Sequence, residues 1–268
     1  MNGDQDFRLV DPVRPAAGYI GGKKQLARRI IERIDATPHE IYAEAFIGMG
    51  GVFFRRSKAP KVEVINDKSQ DVAIFFRILQ RHYQAFMDML KWQLTSRAEF
   101  ERLLGQDPNT LTDLERAARF LYLQKLTFGG KVAGRSFGAQ MSGPARFDPT
   151  KLNVLLEAIH ARLASVTIEC LDWCEFLRRW DRPAALFYLD PPYFGTENYY
   201  GKGLFSADQH EAMATALSGL QGRFILTLND LPATREIYRR FDIQSADLSY
   251  TACGAGQAKA AREIIVTG

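Results

Sequence analysis

Asp190-Pro191-Pro192-Tyr193 is the stretch of this chain whose residue types point most directly to chemistry. Proline fixes φ and has no N–H, so two in succession stop a strand ladder. Each residue before a proline is pushed into extended backbone, and Asp190 and Pro191 both hold that position. The result is a rigid corner with one carboxylate, one carbonyl and one aromatic face. Such a corner suits an exocyclic amino group on a flat ring. The Asp190 carboxylate and the Pro191 carbonyl accept its two hydrogens, which draws the nitrogen lone pair out of conjugation and aims it at an electrophile. Pro192 stiffens the corner. Tyr193 offers a stacking surface, worth ~1–3 kcal/mol per base in single-strand readers. The competing role for an isolated Asp-Pro is a turn cap, but the complete tetrapeptide after a buried strand favours the functional role.

The elements around it read as an α/β pattern. Ala184 to Leu189 is a short apolar run, as in a fully buried strand. Near the amino terminus, Gly18 to Leu26 runs into an amphipathic helix whose apolar face is Leu26, Ile30, Ile31 and Ile34. The N–H groups of Gly21-Gly22 with Lys23 could hold an anion or carboxylate. Ile41 to Phe46 reads as a strand leading into Ile47-Gly48-Met49-Gly50-Gly51, the first half of a nucleotide-type βα unit. A second strand from Val62 ends in Asn66-Asp67. Asp67 follows Gly48 by 19 residues, a spacing that suits a carboxylate bonding ribose hydroxyls. Phe53 stands where a dinucleotide fingerprint needs a third glycine. That disfavours a nicotinamide cofactor and leaves a smaller adenosine ligand. Val166 to Cys170 is another strand, followed by Leu171-Asp172-Trp173. Asp172 either accepts from an adenine amino group while Trp173 covers the ring, or caps a helix; both roles stand open.

Residues 69–165 interrupt this alternation, with helical periodicity near 69–94, 96–104, 112–126 and 150–164. Thr112 with Glu115 forms a capping-box signature. Between Lys125 and Lys151 lie five bases (Lys125, Lys131, Arg135, Arg146, Lys151) against one acid, Asp148, so this segment alone carries the chain's net +4. Glycines and aromatics interleave with these bases from Phe128 to Gly138, as in a flexible loop or in a hairpin that delivers arginine and lysine to phosphates and bases. Lys125, Lys131, Arg135 and Arg146 are the candidate DNA contacts. Arg135→Ala is expected to weaken DNA binding or alter site choice and leave cofactor binding intact.

The expected organisation is a cofactor-binding catalytic domain from 16–68 and 166–268, a helical insert at 69–165 with its recognition loop at about 125–150, and a polar tail at 1–15. Phe194 to Phe205 reads as a mobile loop, Ser206 with Gln209 as the cap of the next helix, and 223–229, 241–251 and 262–267 as the last strands. The 268 residues are 46% hydrophobic, ample for a core, without an apolar run of membrane-spanning length. The start is polar and acidic, unlike a signal peptide. The three cysteines lack metal-site spacing. These features predict a cytoplasmic protein with no metal and no membrane association.

In order along the chain, several segments resemble the Dam-type (D12 class) family of adenine-specific DNA methyltransferases. Tyr19-Ile20-Gly21-Gly22-Lys23 is similar to its Trp-Ala-Gly-Gly-Lys motif, and Glu44-Ala45-Phe46-Ile47-Gly48-Met49-Gly50 to its Glu-Pro-Phe-x-Gly-x-Gly motif. Asn66-Asp67 sits at its ribose-binding acid. Lys125-Leu126-Thr127-Phe128-Gly129-Gly130 resembles the opening of its recognition loop, Asp190-Pro191-Pro192-Tyr193 its catalytic motif, and Arg262-Glu263-Ile264-Ile265 its closing strand. The departures are Tyr19 for tryptophan and Ala45 for proline. The resemblance implies a Rossmann-like α/β methyltransferase fold: a mixed seven-stranded sheet with helices on both faces, plus a helical DNA-recognition insert. It implies S-adenosylmethionine as methyl donor and N6 of an adenine flipped out of double-stranded DNA as acceptor. It also implies a bacterial cell, a host, prophage or phage gene, and a monomer in solution. By position, Tyr19, Gly22, Lys23, Phe46, Gly48, Gly50, Asp67, Asp172 and Trp173 would serve the cofactor, and the 190–193 corner the base. Cytosine N4, an adenine in RNA, or an idle DNA-binding module are the alternatives.

Overall fold

The computed structural model describes residues 7–138, 143–195, 205–250 and 259–268. In chain order the elements are β1 (Arg8–Leu9), α1 (Ala27–Ala36), β2 (Ile41–Glu44), β3 (Lys58–Ala59), β4 (Val62–Asn66), α2 (Gln70–Arg81), α3 (Tyr83–Leu90), α4 (Arg97–Gly105), α5 (Asp113–Leu126) and α6 (Pro149–Leu163). Then come β5 (Val166–Glu169), α7 (Trp173–Trp180), β6 (Ala185–Leu189), α8 (Asp208–Ser218), β7 (Arg223–Asn229), α9 (Pro232–Ile237), β8 (Asp242–Tyr250) and β9 (Lys259–Thr267). The main sheet has seven strands in the order β5-β4-β2-β6-β7-β9-β8. The first five are parallel, and β9 runs antiparallel to both β7 and β8. This is the expected mixed seven-stranded α/β sheet. From β2 the chain winds outward through β4 to β5, then returns to place β6 against the other side of β2. The β2–β6 junction is therefore the topological switch point, where open α/β sheets bind ligands beyond the carboxyl ends of their strands.

Alternation along the strands covers both sheet faces. Tyr42, Ile65, Leu186, Tyr188 and Ile225 belong to one core layer, together with Phe75, Phe86, Phe120, Leu156 and Ile159 from the helices of 69–165. Ala43, Val64, Phe187, Leu189 and Leu226 belong to the opposite layer, with Phe176 and Met213. A buried charge cluster also ties the helical segment to the sheet. Arg162 on α6 donates to both oxygens of Glu63 on β4 (2.6 and 2.7 Å), and Arg56 donates to the same carboxylate at 2.9 Å. The Arg56 guanidinium stacks 3.8 Å from the Tyr42 ring centroid, and that of Arg162 lies 4.2 Å from that of Phe53. Removing one partner of such a buried cluster leaves an uncompensated charge and costs about 3–5 kcal/mol.

The helical segment follows its periodicity, with one difference. The span 69–94 breaks at His82 (φ −130°, ψ 35°) into α2 and α3. The Thr112–Glu115 capping box forms. The Ser206–Gln209 box does not: backbone turns from Gln209 N to Ser206 O and from His210 N to Ala207 O lead into α8, and Ala207 takes the cap position. The stretch read as a polar tail is partly docked. β1 pairs antiparallel with β3, and Val13 N donates to Phe54 O. Most of the loop expected at 194–205 and most of that at 252–261 lie outside the described residues.

Candidate active site

All five residues of β6 are buried, so the corner it ends in has a rigid base. Pro191 and Pro192 are buried, while Tyr193 is half-exposed. The Asp190 carboxylate is anchored from two sides. Thr227 on β7 donates its hydroxyl to Oδ1 at 2.9 Å, and the Lys23 ammonium lies 2.6 Å from the same oxygen. Lys23 also donates to the Tyr193 hydroxyl at 2.8 Å and to the Gly21 carbonyl at 3.0 Å, and Glu263 on β9 stands 4.0 Å from it. Burial pushes the Asp190 pKa up to about 6, with Lys23 opposing that rise. Asn229, at the end of β7, holds the residue after the corner, accepting from Phe194 N (3.2 Å) and donating to Phe194 O (2.9 Å). Sequence reading gave Thr227 and Asn229 no role. Their signal was a polar residue at the carboxyl end of a strand, which identifies a site only once the neighbouring strand is known.

A cleft of about 510 Å³ opens at the switch point, within the usual size range of ligand sites. Its walls include Tyr19, Gly22, Lys23, Phe46, Gly48 and Asp67 together with Asp190 and Pro192. The expected cofactor turn and the expected catalytic corner thus share one crevice. Gly48 has φ +49°, and a Cβ there would meet the Tyr19 ring at 2.9 Å, so the bare backbone is what lets that ring lie against the turn. Asp67 accepts from Gly48 N and Ser69 N, both at 2.9 Å. Its burial raises its pKa to about 6 against those two bonds. Beneath the turn, Asn66 bonds Ala45 O, Leu171 O and Leu171 N, tying β2 and β4 to the segment after β5. Glu44 also lines the cleft. It accepts from the Tyr42 hydroxyl at 2.7 Å, and burial raises its pKa to about 8.

Three expected cofactor residues are off this wall. Gly50 has φ +74° and faces the Phe54 ring, 2.2 Å from where its Cβ would be, so it serves the turn itself. Asp172 takes the helix-cap role, accepting from Cys174 N at 3.0 Å, and pairs with Lys68 at 3.0 Å. Trp173, first residue of α7, is 5% exposed and joins Phe176 and Leu177 in the core layer. The amphipathic turn that Asp172 starts rotates the indole inward, so it does not line the cleft.

The candidate DNA residues divide. Lys125 is half-buried on the cleft wall, and Lys131 is exposed. Arg135 turns inward, donating to Gln124 Oε1 at 3.0 Å and to Lys131 O at 3.3 Å. Arg146 reaches Thr127 O at 3.5 Å. Gln124, which sequence reading passed over as an ordinary helix residue, donates to both Gly18 O and Gly130 O at 2.8 Å. Among the described residues no group of three or more His, Cys, Asp and Glu side chains gathers as a metal site requires, and no helix is long and apolar enough to cross a membrane.

Known proteins resemble this chain over most of its length. The chain is 25% identical to Type II methyltransferase M1.LlaDCHI of Lactococcus lactis subsp. cremoris, over 95% of both chains. It is 20% identical to Type II methyltransferase M.CviBI of Paramecium bursaria Chlorella virus NC1A, over 84% of this chain and 86% of that one. A solved structure, precorrin 8W decarboxylase of Methanobacterium thermoautotrophicum, aligns over 91% of this chain and 89% of its own at 12% identity, with a TM-score of 0.40. Residues 19–252 match the family of D12 class N6 adenine-specific DNA methyltransferases. That match takes in both the Gly48 turn and the Asp190 corner, and the chain belongs to this family, whose members methylate N6 of adenine in DNA.

Proposed function

We propose that the 510 Å³ cleft takes S-adenosylmethionine and that the Asp190 corner holds the amino group of a flipped-out adenine beside it. The observation that carries this reading is the meeting of the Gly48 turn and Asp190 in one crevice at the β2–β6 switch point. The residues present fit the cofactor. Tyr19 and Phe46 offer apolar faces, the bare Gly48 backbone lets a ligand approach closely, and Asp67 is a buried acceptor suited to ribose hydroxyls. When bound, the cofactor supplies an electrophilic methyl group.

The chain's own residues supply orientation and desolvation. Asp190 accepts one amino hydrogen and the Pro191 carbonyl the other, so the N6 lone pair points out of the ring system. Tyr193 stacks on the base. The proton that N6 must shed on methylation would pass to solvent by way of the Asp190 carboxylate, which already accepts that hydrogen. Thr227 and Lys23 keep the carboxylate in place. Lys23 must give up part of its hold on Asp190 for an amino group to share that carboxylate. The protein works on double-stranded DNA as a monomer in this reading.

The test is transfer of labelled methyl from S-adenosylmethionine to unmethylated genomic DNA, digested to nucleosides, beside Asp190→Asn. We expect N6-methyladenine from wild type and a loss of about 100-fold or more in the variant, with cofactor affinity kept. Label on cytosine would replace the substrate. A wild-type rate unaffected by Asp190→Asn would remove the corner from the mechanism.

A further inference from the structure

A second concavity, of about 90 Å³, adjoins the cleft and shares Arg14, Lys125 and Leu155 with it. Its other charged walls are Arg146, Asp148 and Lys151. The one acid there is already engaged. Asp148 caps α6, accepting from Thr150 N and Lys151 N, and pairs with the Lys151 ammonium at 3.4 Å. Arg14 and Lys125 have neither a hydrogen bond nor an ion pair among the described residues. Arg146 contacts only a neutral carbonyl in the described structure, Thr127 O. Three cations therefore converge on a concave site whose one carboxylate, Asp148, is ion-paired with Lys151 and with none of the three. Burial, and then the charge of Arg14, push the Lys125 ammonium below the ordinary lysine range. The Asp148 charge opposes that fall only in part.

We propose that Arg14, Lys125 and Arg146 form a binding site for a phosphodiester of the DNA strand, at the point where the methylation cleft opens toward the helical insert. The proposal rests on the DNA methyltransferase reading and adds a site to it. Two observations favour a backbone phosphate over the carboxylate of the cofactor. The site is built from both ends of the basic 125–151 segment, which carries the chain's entire net charge. No residue of the Gly48 turn lines it, and its Arg146 reaches Thr127 O, in the segment read as opening the recognition loop. Arg135, the base in that segment most exposed to suspicion as a phosphate contact, is occupied with Gln124. Arg14, from a stretch that reads as a featureless tail, takes its place. A phosphate held here would fix the strand's position beside the cleft without reading its sequence.

The experiment measures affinity of the full-length protein for an unmethylated duplex of mixed sequence across a range of salt concentrations, with S-adenosylhomocysteine present. Wild type is compared with Arg14→Gln, Lys125→Gln, the charge-keeping Arg14→Lys, and Arg28→Gln on exposed α1 as a control. The magnitude of the slope of log affinity against log salt is expected to fall by about 1 in each neutralising variant and to hold in Arg14→Lys and Arg28→Gln. Affinity for S-adenosylhomocysteine, read by calorimetry, is expected to change much less than affinity for the duplex, although both residues also border the cleft. Arg14 is exposed, so its variants keep the fold even if Lys125→Gln is destabilised. Salt slopes equal to wild type in both neutralising variants would overturn the proposal. Loss of cofactor affinity with the slope intact would also overturn it and assign the cations to the cofactor's carboxylate. Methyl transfer to DNA by wild type is scored separately, so a failure of the enzyme reading is distinguishable from a failure of this site.

Discussion

The Lys23 ammonium lies 2.6 Å from the Asp190 carboxylate, so the Asp-Pro-Pro-Tyr corner is closed by a lysine from near the amino terminus. The pair makes the activity pH-dependent in a stated direction. Asp190 is the stronger acceptor, and can take up the amino proton, only when ionised, and its pKa is raised to about 6. Single-turnover methyl transfer is therefore expected to rise with pH through about 6 and to level off above it. Lys23 lowers that pKa by charge and by hydrogen bonding. In Lys23→Met the rate falls, and the acid limb of its profile moves upward by about one unit or more. An acid limb still at wild-type pH in the variant would show that the profile reports another group.

Glu44 gives a pH dependence of stability instead. It is 2% exposed, and burial raises its pKa to about 8 in the folded protein. Below the unfolded pKa, near 4.5, both states are protonated and the stabilising contribution is fully present. As pH rises toward 8, the unfolded chain releases the proton while the native state keeps it, so stability is lost through that window. Glutamine keeps an acceptor for the Tyr42 hydroxyl but does not titrate. The stability of Glu44→Gln relative to wild type is expected to improve by roughly 2–4 kcal/mol between pH 5 and 8, read from denaturant melts at each pH. A difference that is flat across that range would sink the assignment.

Gln124 links the recognition segment to the cofactor motif. Its amide donates to Gly18 O and Gly130 O, while its carbonyl accepts from Arg135. Gly130, at φ +67°, sits so close to Gly18 that an added Cβ would be 2.9 Å from the Gly18 carbonyl carbon. Gln124→Leu leaves Gly18 O without its donor, at a cost of about 1–3 kcal/mol, while Gly130 O keeps the Ile20 N–H at 3.0 Å. Cofactor affinity is expected to fall roughly tenfold, and DNA affinity with it. Arg135→Ala removes only the outer bond, so it is expected to weaken DNA binding while cofactor affinity holds. Calorimetric titration of both variants checks this, and an unchanged cofactor affinity in Gln124→Leu would show that the link carries no energy.

Features set by local chemistry were legible in the chain itself. The Asp190 corner follows from two prolines after an apolar run, the Gly48 turn from a glycine that must adopt positive φ, and the Thr112 cap from spacing along one helix turn. The alternation of strands and helices implied a doubly wound sheet, and the ordered motifs implied the family. Tertiary structure decided which groups meet. Lys23 and Asp190 are neighbours only because β6 returns beside β2. Trp173 turned into the core and Arg135 turned onto Gln124, although both read as ligand contacts. Periodicity states that a side chain has a face, but the neighbour on that face comes from long-range packing. Arg14 shows the same limit: it lay unremarked in a stretch that reads as a polar tail, and its place beside Lys125 on the cleft wall appears only when the helical insert folds back against the sheet.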